Sequence, residues 1–502
     1  MNLNSIISNN HTKSFIIFLI IFFIHIFCIN FYPINDEFIF PIGAKLLESN
    51  NIEIISNFFR YNANTLGFST VILFFSKFIP LNYYLIGKLL SSSGIILIYI
   101  GINNLIKISK VNLNENDYLL ILLILLNPII FAFSFRATPD FFSATLALFS
   151  ISFLIIKKSF FLKGFFLILF SCAVIIKPIN AITILLIFYN LDLKNYLCKN
   201  NINLFLWASA SMLIPVIFLV YNFYLFDFFL IPNHFKLLKS FEILLFLTKF
   251  ISYLGFLNLF ILPLYFDYLF KNIKINYFKI LSYIIFSILL SFFFIDDIGE
   301  INFGFLQTYF NYNFFSFILL MSFCIFLDFV HFSLNRKDFD RKLFKFSIFF
   351  TIIFIFMLSI FHPSQRYLLI ILPLLLLTIF DIQKNKIFFI LTISLYVLMN
   401  TILFVNHYST SNNIKNVLVY LKKNKMIQDT YPGFIGQHAL NHFVDFNKDM
   451  RISMDKDILF DKNKKYYVSD IEPKDKNNII FFSKSNNFFK KNKNLYILKN
   501  NL

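Results

Sequence analysis

Long apolar runs recur along this 502-residue chain, and polar or charged residues separate them. The first run extends from Ser14 to Phe31 and contains no Lys, Arg, Asp or Glu. An α-helix needs roughly 17 to 25 consecutive apolar residues to cross a bilayer. Because 58% of the residues are hydrophobic and only 14% are charged, no soluble fold could bury the apolar surface. The sequence therefore predicts an all-α polytopic membrane protein.

The apolar runs predict about thirteen transmembrane helices. Their predicted ranges are 14–32, 82–106, 118–135, 140–156, 160–176, 178–191, 203–226, 250–270, 277–295, 312–333, 345–361, 367–382 and 387–405. The run from Leu66 to Ile79 is short and contains Lys77, so we expect it to lie in the membrane interface. The first span lacks a small-residue cleavage site, and we interpret it as an uncleaved anchor.

Basic residues are distributed unevenly between alternate loops. With the amino terminus in the cytosol, the predicted inner loops carry most of the Lys and Arg residues, whereas the outer stretch from Asp296 to Asn313 has none. This asymmetry is the positive-inside rule. It places Asp36, Glu37 and the C-terminal residues on the extracytoplasmic side of the cell (inner) membrane. Part of the lysine excess behind the net charge of +18 reflects a composition typical of an AT-rich genome, and the rest follows this topology, so we predict no nucleic-acid partner.

The sequence predicts two domains. Residues 1–406 form the transmembrane domain, with a first outer loop over about 33–81, and residues 407–502 form a small extracytoplasmic α/β domain. In the second domain, 414–421 has helical spacing, and the predicted strands are 465–468, 479–482 and 495–498. The stretch Gly433–Gly436 is too weak a signal for a nucleotide site. The four cysteines have neither the spacing of a disulfide framework nor that of a metal site.

Charged side chains collect at the span ends that we assign to the outer face. Ionisable groups at such positions are costly and tend to be functional. They are Asp36, Glu37, Lys88, Arg136, Asp140, Lys177, His362 and Arg366, with Tyr367 beside the last. Each has an ordinary explanation on its own, since a cation can reach lipid headgroups and Arg136 can form a structural ion pair with Asp140. Their joint placement on one face favours a functional site.

The chemistry of a sugar carried on a lipid phosphate fits this pattern. The acceptor hydroxyl must lose a proton as it attacks the anomeric carbon, and a carboxylate can accept that proton. The phosphate leaving group needs fixed cations, which Arg and Lys supply. The lipid tail needs an apolar groove between helices. The sequence predicts all three on the same face.

Four short motifs resemble those of the GT-C class of glycosyltransferases, which includes the protein O-mannosyltransferases and the lipid A aminoarabinose transferases. Asn35-Asp36-Glu37, followed by Phe40-x-x-x-Ala44-Lys45-Leu46-Leu47, resembles the start of their first outer loop. Arg136 to Asp140 resembles their second outer loop, Gly164 to Pro178 resembles their Gly…Lys-Pro stretch, and Arg366 to Pro373 resembles their late Arg-Tyr-Leu-Leu…Pro span. The motifs follow the expected order and extend over most of residues 14–406.

The resemblance implies an inverting transferase that moves a sugar from a polyprenyl-phosphate donor to a glycan, lipid or protein acceptor. Asp36 would be the general base, Glu37 would shape its surroundings, and Asp140 would be the second acidic group. The implied substrate-binding set is Arg366, Tyr367, Lys177, Lys88, Arg136 and His362, with Arg366 and one of the lysines holding the carrier phosphate.

The sequence also departs from the class pattern. Asn62 to Gly67 stands where many members have a Pro-Pro pair, and the first loop has no Trp, so the sugar and the acceptor stay open. We predict no cofactor and no metal, because no metal-ligand set is evident, although class members differ in their need for a divalent cation.

Two other functions remain as alternatives. A transporter or flippase of lipid-linked saccharides would have charges along a path through the membrane, whereas these charges collect at one rim. A polysaccharide polymerase or ligase usually places its basic catalytic loop late in the chain and lacks an early Asp-Glu pair.

Overall fold

The structure of the protein is a computed structural model, which describes the following residues. They are 10–49, 52–62, 66–109, 117–156, 159–189, 199–226, 242–266, 268, 277–298, 312–335, 341–360, 364–383, 385–435, 439, 464–473, 475–485 and 494–499.

 In all, these residues form 27 helical, 3-10 and strand elements.

The described chain is mainly helical. The α-helices are α1 (Asn10–Cys28), α2 (Ile39–Glu48), α3 (Ile52–Asn62), α4 (Gly67–Ser76), α5 (Tyr83–Ser109), α6 (Asp117–Leu125), α7 (Pro128–Ser134), α8 (Pro139–Ile156), α9 (Phe160–Ile176), α10 (Leu186–Tyr189), α11 (Lys199–Phe226), α12 (Ile243–Ile261), α13 (Tyr277–Ile298), α14 (Tyr312–Asn335), α15 (Arg341–Ile360), α16 (Leu372–Ile382) and α17 (Lys386–Lys423). The longer 3-10 segments are Asn35–Phe38, Pro178–Leu185, Leu262–Tyr265 and Gln365–Ile370.

Seven of the described helices are long and apolar enough to cross a membrane by length and composition. They are α5, α8, α11, α12, α14, α15 and α17, and shorter apolar helices accompany them. The protein is therefore a helical, multi-pass membrane protein with a small C-terminal sheet. The count of about thirteen spans stays a prediction.

Several predicted spans differ from the observed helices. The run 118–135 is divided into α6 and α7 because Pro128 lacks the amide hydrogen that a continuous helix needs, and the Asn127 side chain caps α7 by accepting from the Ile129 N–H at 3.1 Å. Within the run 178–191, the described residues form the 3-10 segment Pro178–Leu185 and the short helix α10.

The bundle packs around close helix contacts. Helices α5 and α8 lie side by side, and Asn104 of α5 donates to the Ser152 hydroxyl of α8 at 3.1 Å. Helices α12 and α14 approach so closely that a Cβ on Gly255 would lie 2.1 Å from the Leu319 carbonyl oxygen. Such contacts hold neighbouring helices close together, and charged residues lie at or next to several of the helix ends.

Helix α17 connects the bundle to the C-terminal sheet. Its 38 residues contain neither Gly nor Pro, and at 1.5 Å per residue they extend about 57 Å, further than a bilayer core is thick. Beyond the bundle, Ile414, Val417 and Leu418 of α17 are buried against Ile34 and Phe38 of the first loop. The first loop and the C-terminal residues therefore lie at the same end of the bundle, which we call the site end, and the opposite end is the far end.

The C-terminal sheet has four strands in the order β1-β2-β4-β3, where β1 is Thr430–Tyr431, β2 is Tyr466–Ser469, β3 is Ile479–Ser483 and β4 is Leu495–Lys499. Strand β1 pairs with β2 in parallel, and β4 pairs antiparallel with both β2 and β3. The three strands predicted from the sequence are present. The domain boundary predicted at 406/407 falls inside α17, and the division into two domains stays a prediction.

Candidate active site

The two adjacent carboxylates of the first loop lie in one 3-10 turn and point to different surroundings. Ile34 is extended, and the chain then turns through Asn35–Phe38, with Phe38 buried in the cluster beneath α17. Glu37 is 1% exposed, and its Oε2 accepts a hydrogen bond from the Ile34 N–H at 2.8 Å. The side chain of Asp36 is 58% exposed. Glu37 is therefore part of the buried frame, whereas Asp36 is accessible to a substrate.

The environment of Glu37 is both buried and positive. Burial raises the pKa of the Glu37 carboxyl, while the charges of Lys88 and Arg136 and hydrogen bonds from the backbone act in the opposite direction. Lys88, on α5, is 1% exposed and donates to the Phe31 carbonyl oxygen at the end of the first apolar segment. Lys88 thus holds the start of the first loop against α5.

Arg136 lies in the turn between α7 and α8. The hydroxyl of Ser91 on α5 fixes this turn by donating to the Thr138 carbonyl oxygen at 3.0 Å. The guanidinium lies over the Phe133 ring, 5.2 Å from its centroid. Burial lowers the pKa of Arg136, and the nearby carboxylates of Glu37 and Asp36 oppose that shift. An arginine keeps its proton in such a site, so Arg136 adds a fixed positive charge behind Asp36.

Asp140 and Lys177 form a buried ion pair. Asp140 lies in the first turn of α8, directly after Pro139, and its side chain is 1% exposed. Lys177 follows the end of α9, and its Nζ contacts Asp140 Oδ1. The same Nζ lies 4.5 Å from the centroid of the Tyr367 ring. The pair therefore joins the first turn of one helix to the last turn of the next.

Arg366 connects the two aspartates. It lies in the 3-10 segment Gln365–Ile370, and its side chain is 27% exposed. Its Nη1 donates to Asp36 Oδ2 at 3.3 Å, and its Nε lies 3.8 Å from Asp140 Oδ1. Residues 36, 140 and 366 are far apart in sequence, yet one guanidinium contacts both carboxylates.

The structure thus brings eight of the nine predicted site residues to the site end. They are Asp36, Glu37, Lys88, Arg136, Asp140, Lys177, Arg366 and Tyr367, which include four cations and three carboxylates. His362 lies outside the described residues. Among the described residues, no group of three or more His, Cys, Asp and Glu side chains is arranged to hold a metal ion.

Sequence reasoning missed residues around this set. His407 of α17 is buried between the Phe31 and Phe135 rings, and neither ring nitrogen has a hydrogen-bond partner among the described residues. Tyr253 of α12 lies close enough to Arg366 and Tyr367 to interact with them electrostatically. Residues 386–423 contain neither Gly nor Pro, and this pattern could have predicted that one helix continues through His407.

The fold and this charged set define a multi-pass membrane protein with a carboxylate and guanidinium site at one end of its bundle. No known family profile matches the sequence, and no curated protein matches it. The chain is similar to the crystal structure of ArnT from Cupriavidus metallidurans in the apo state, at 12% identity and a TM-score of 0.43, over 96% of each chain. It is also similar to ArnT from the same organism bound to undecaprenyl phosphate, at 12% identity and a TM-score of 0.44, over 97% of each chain.

Proposed function

We propose that this protein is a GT-C class glycosyltransferase of the cell (inner) membrane. It transfers a sugar from a polyprenyl-phosphate donor to a glycan, lipid or protein acceptor, with inversion at the anomeric carbon. The site end faces away from the cytosol. The observation that carries this proposal is the position of Arg366, in contact with both an exposed and a buried aspartate.

In this reaction Asp36 acts as the general base. Its exposed carboxylate takes the proton of the acceptor hydroxyl while the hydroxyl oxygen attacks the anomeric carbon. The bond from that carbon to the phosphate oxygen breaks in the same displacement, and the lipid phosphate leaves with the electron pair. One displacement inverts the anomeric centre.

Arg366 binds the phosphate of the donor. Its guanidinium is partly accessible, and its planar fork of N–H groups matches phosphate oxygens. A phosphate on Arg366 competes with Asp36 for the guanidinium, so donor binding releases the base for the acceptor. The charges of Lys177 and Arg136 lie behind Arg366 and stabilise the negative charge that grows on the leaving group.

An apolar groove offers a place for the lipid tail. It has a volume of about 440 Å³ and lies between α1, α6 and α17. Phe131 and Phe404 line the groove and pack in the aromatic cluster that contains Phe135, the residue before Arg136. The groove thus leads along the bundle toward the charged set.

A deletion strain tests the proposal directly. Mass spectrometry of its lipids and surface glycans should find a missing sugar together with accumulated polyprenyl-phosphate sugar. Unchanged glycans and no accumulated donor would contradict the transferase assignment. Accumulation of donor only in the inner leaflet would instead indicate a flippase.

A further inference from the structure

A second cavity lies at the far end of the bundle, away from the charged set. It has a volume of about 800 Å³ and lies between α10 and the first half of α15. From Lys342 to Ile360, α15 rises about 27 Å toward the segment that carries Arg366, because each helical residue adds 1.5 Å. The lysines at the rim of the cavity are therefore separated from the site end of α15 by roughly the thickness of a bilayer core.

The α15 wall of this cavity is amphipathic along the helix axis. Lys342 and Lys345 are the second and fifth residues of α15, and aromatic and aliphatic side chains continue the same face toward the bundle centre. Those apolar residues are Phe346, Phe349, Phe350 and Ile353. Phe349 is 60% exposed, so the apolar part of the wall is open to the surroundings of the bundle.

The opposite wall consists of Leu185, the last residue of the 3-10 segment Pro178–Leu185, and of Phe188 and Tyr189 of α10. The Nζ of Lys342 lies 4.8 Å from the centroid of the Tyr189 ring, which turns this cation toward the cavity. The cavity therefore has a positive rim and an apolar interior that continues into the membrane-facing surface.

The two lysines are unfavourable for the helix itself. The amino terminus of an α-helix carries a partial positive charge, so cations in its first turn are repelled and anions are attracted. An anion at the rim would interact favourably with both lysines and with the helix terminus. Charge and apolarity together match a molecule with a phosphate headgroup and acyl chains.

We propose that this cavity binds an anionic phospholipid. Its headgroup phosphate lies at Lys342 and Lys345, and an acyl chain packs along Phe346, Phe349 and Ile353. This site is independent of the donor site, because it lies at the other end of the bundle.

The test uses the full-length protein in phosphatidylcholine nanodiscs, titrated with phosphatidylglycerol, with bound lipid counted by native mass spectrometry. We expect Lys342→Gln/Lys345→Gln to weaken phosphatidylglycerol binding about 30-fold, from the contribution that each basic residue makes near an anionic lipid surface. Phe349→Ala should weaken it as well while leaving the charge unchanged. Both lysines are exposed, so their replacement should leave the fold intact.

The matched control is Lys13→Gln/Lys386→Gln, which removes two charges from the starts of α1 and α17. We expect little change in lipid binding for this variant. Equal weakening by both double variants would overturn the proposal in favour of a diffuse surface charge. Displacement of the bound lipid by millimolar inorganic phosphate would overturn it in favour of a small-anion site.

Discussion

Asp140→Asn removes the carboxylate from a buried group in which two cations remain. The Asp140 side chain is 1% exposed and that of Lys177 is 8% exposed, so neither charge is compensated by water. Removing one partner of a buried ion pair costs about 3–5 kcal/mol, because the other charge stays buried. Here Arg366 adds repulsion, since its Nε lies 3.8 Å from the same carboxylate oxygen. We therefore expect Asp140→Asn to lower the free energy of unfolding by an amount near the upper part of that range.

Lys177→Met should cost less, about 2 kcal/mol, because Arg366 still faces Asp140 after the lysine is removed. The double variant Asp140→Asn/Lys177→Met leaves no uncompensated charge from the pair. It should be more stable than Asp140→Asn alone, which requires a coupling free energy larger than the cost of about 2 kcal/mol for Lys177→Met.

The cost of Asp140→Asn should depend on pH. In the native protein, burial and the neighbouring Arg366 lower the pKa of Lys177, while Asp36 opposes this shift. In Asp140→Asn the carboxylate that contacts the Lys177 ammonium is also lost, so the pKa of Lys177 should fall further. A lysine whose pKa is lower in the folded state destabilises the protein at low pH, and this penalty declines as pH rises toward the pKa of the unfolded chain. The cost should be larger at about pH 6 than at about pH 9.

The measurement is a denaturant titration in mixed micelles at both pH values. Asp429→Asn is the matched control, because Asp429 is exposed and its Oδ2 lies 3.9 Å from Lys465 Nζ; such a pair contributes about 0–1 kcal/mol. An Asp140→Asn variant as stable as Asp429→Asn, or equally destabilised at both pH values, would refute the reasoning.

Three further changes give separate tests. Arg366→Lys should lower the transfer rate by about 10- to 100-fold and raise the donor KM, because a lysine lacks the guanidinium fork that contacts Asp36 and Asp140 together. Initial rates against donor concentration measure both effects, and unchanged kinetics would exclude Arg366 as the phosphate ligand. Glu37→Gln keeps a side-chain acceptor for the Ile34 N–H. Because burial raises the pKa of the Glu37 carboxyl, the free energy of unfolding of Glu37→Gln relative to that of the native protein should increase with pH. A decrease with pH would contradict the raised pKa of Glu37. Gly67→Ala places a Cβ 2.5 Å from the Ile175 carbonyl oxygen near the end of α9 and should lower the free energy of unfolding by about 1–3 kcal/mol. The same denaturant titration measures this, and an unchanged free energy of unfolding would contradict close packing at Gly67.

The class of fold and the end of the bundle that carries the charges could be predicted from the sequence. Apolar run length predicts membrane helices, and the charged residues that interrupt or end these runs predict the candidate site. Local patterns also predicted the strands of the C-terminal sheet. These features depend on residues that are near one another in sequence.

The pairing of the charges could not be predicted in the same way. Asp36 and Glu37 look equivalent in sequence, but the 3-10 turn buries one and exposes the other. Contact between Arg366 and two aspartates depends on where the start of α8, the 3-10 segment Gln365–Ile370 and the first loop lie in space. Lys88, predicted as a phosphate ligand, is instead buried against the Phe31 carbonyl, so we propose a positioning role for it.

The most direct measurement compares sugar transfer by the native protein and by Asp36→Asn in liposomes that contain a labelled polyprenyl-phosphate sugar, with Asp429→Asn as the control. Loss of the general base should reduce transfer at least about 100-fold. The fold should remain intact, because Asp36 is exposed and its only described ion-pair partner within 4 Å is Arg366. Undiminished transfer by Asp36→Asn would contradict the account.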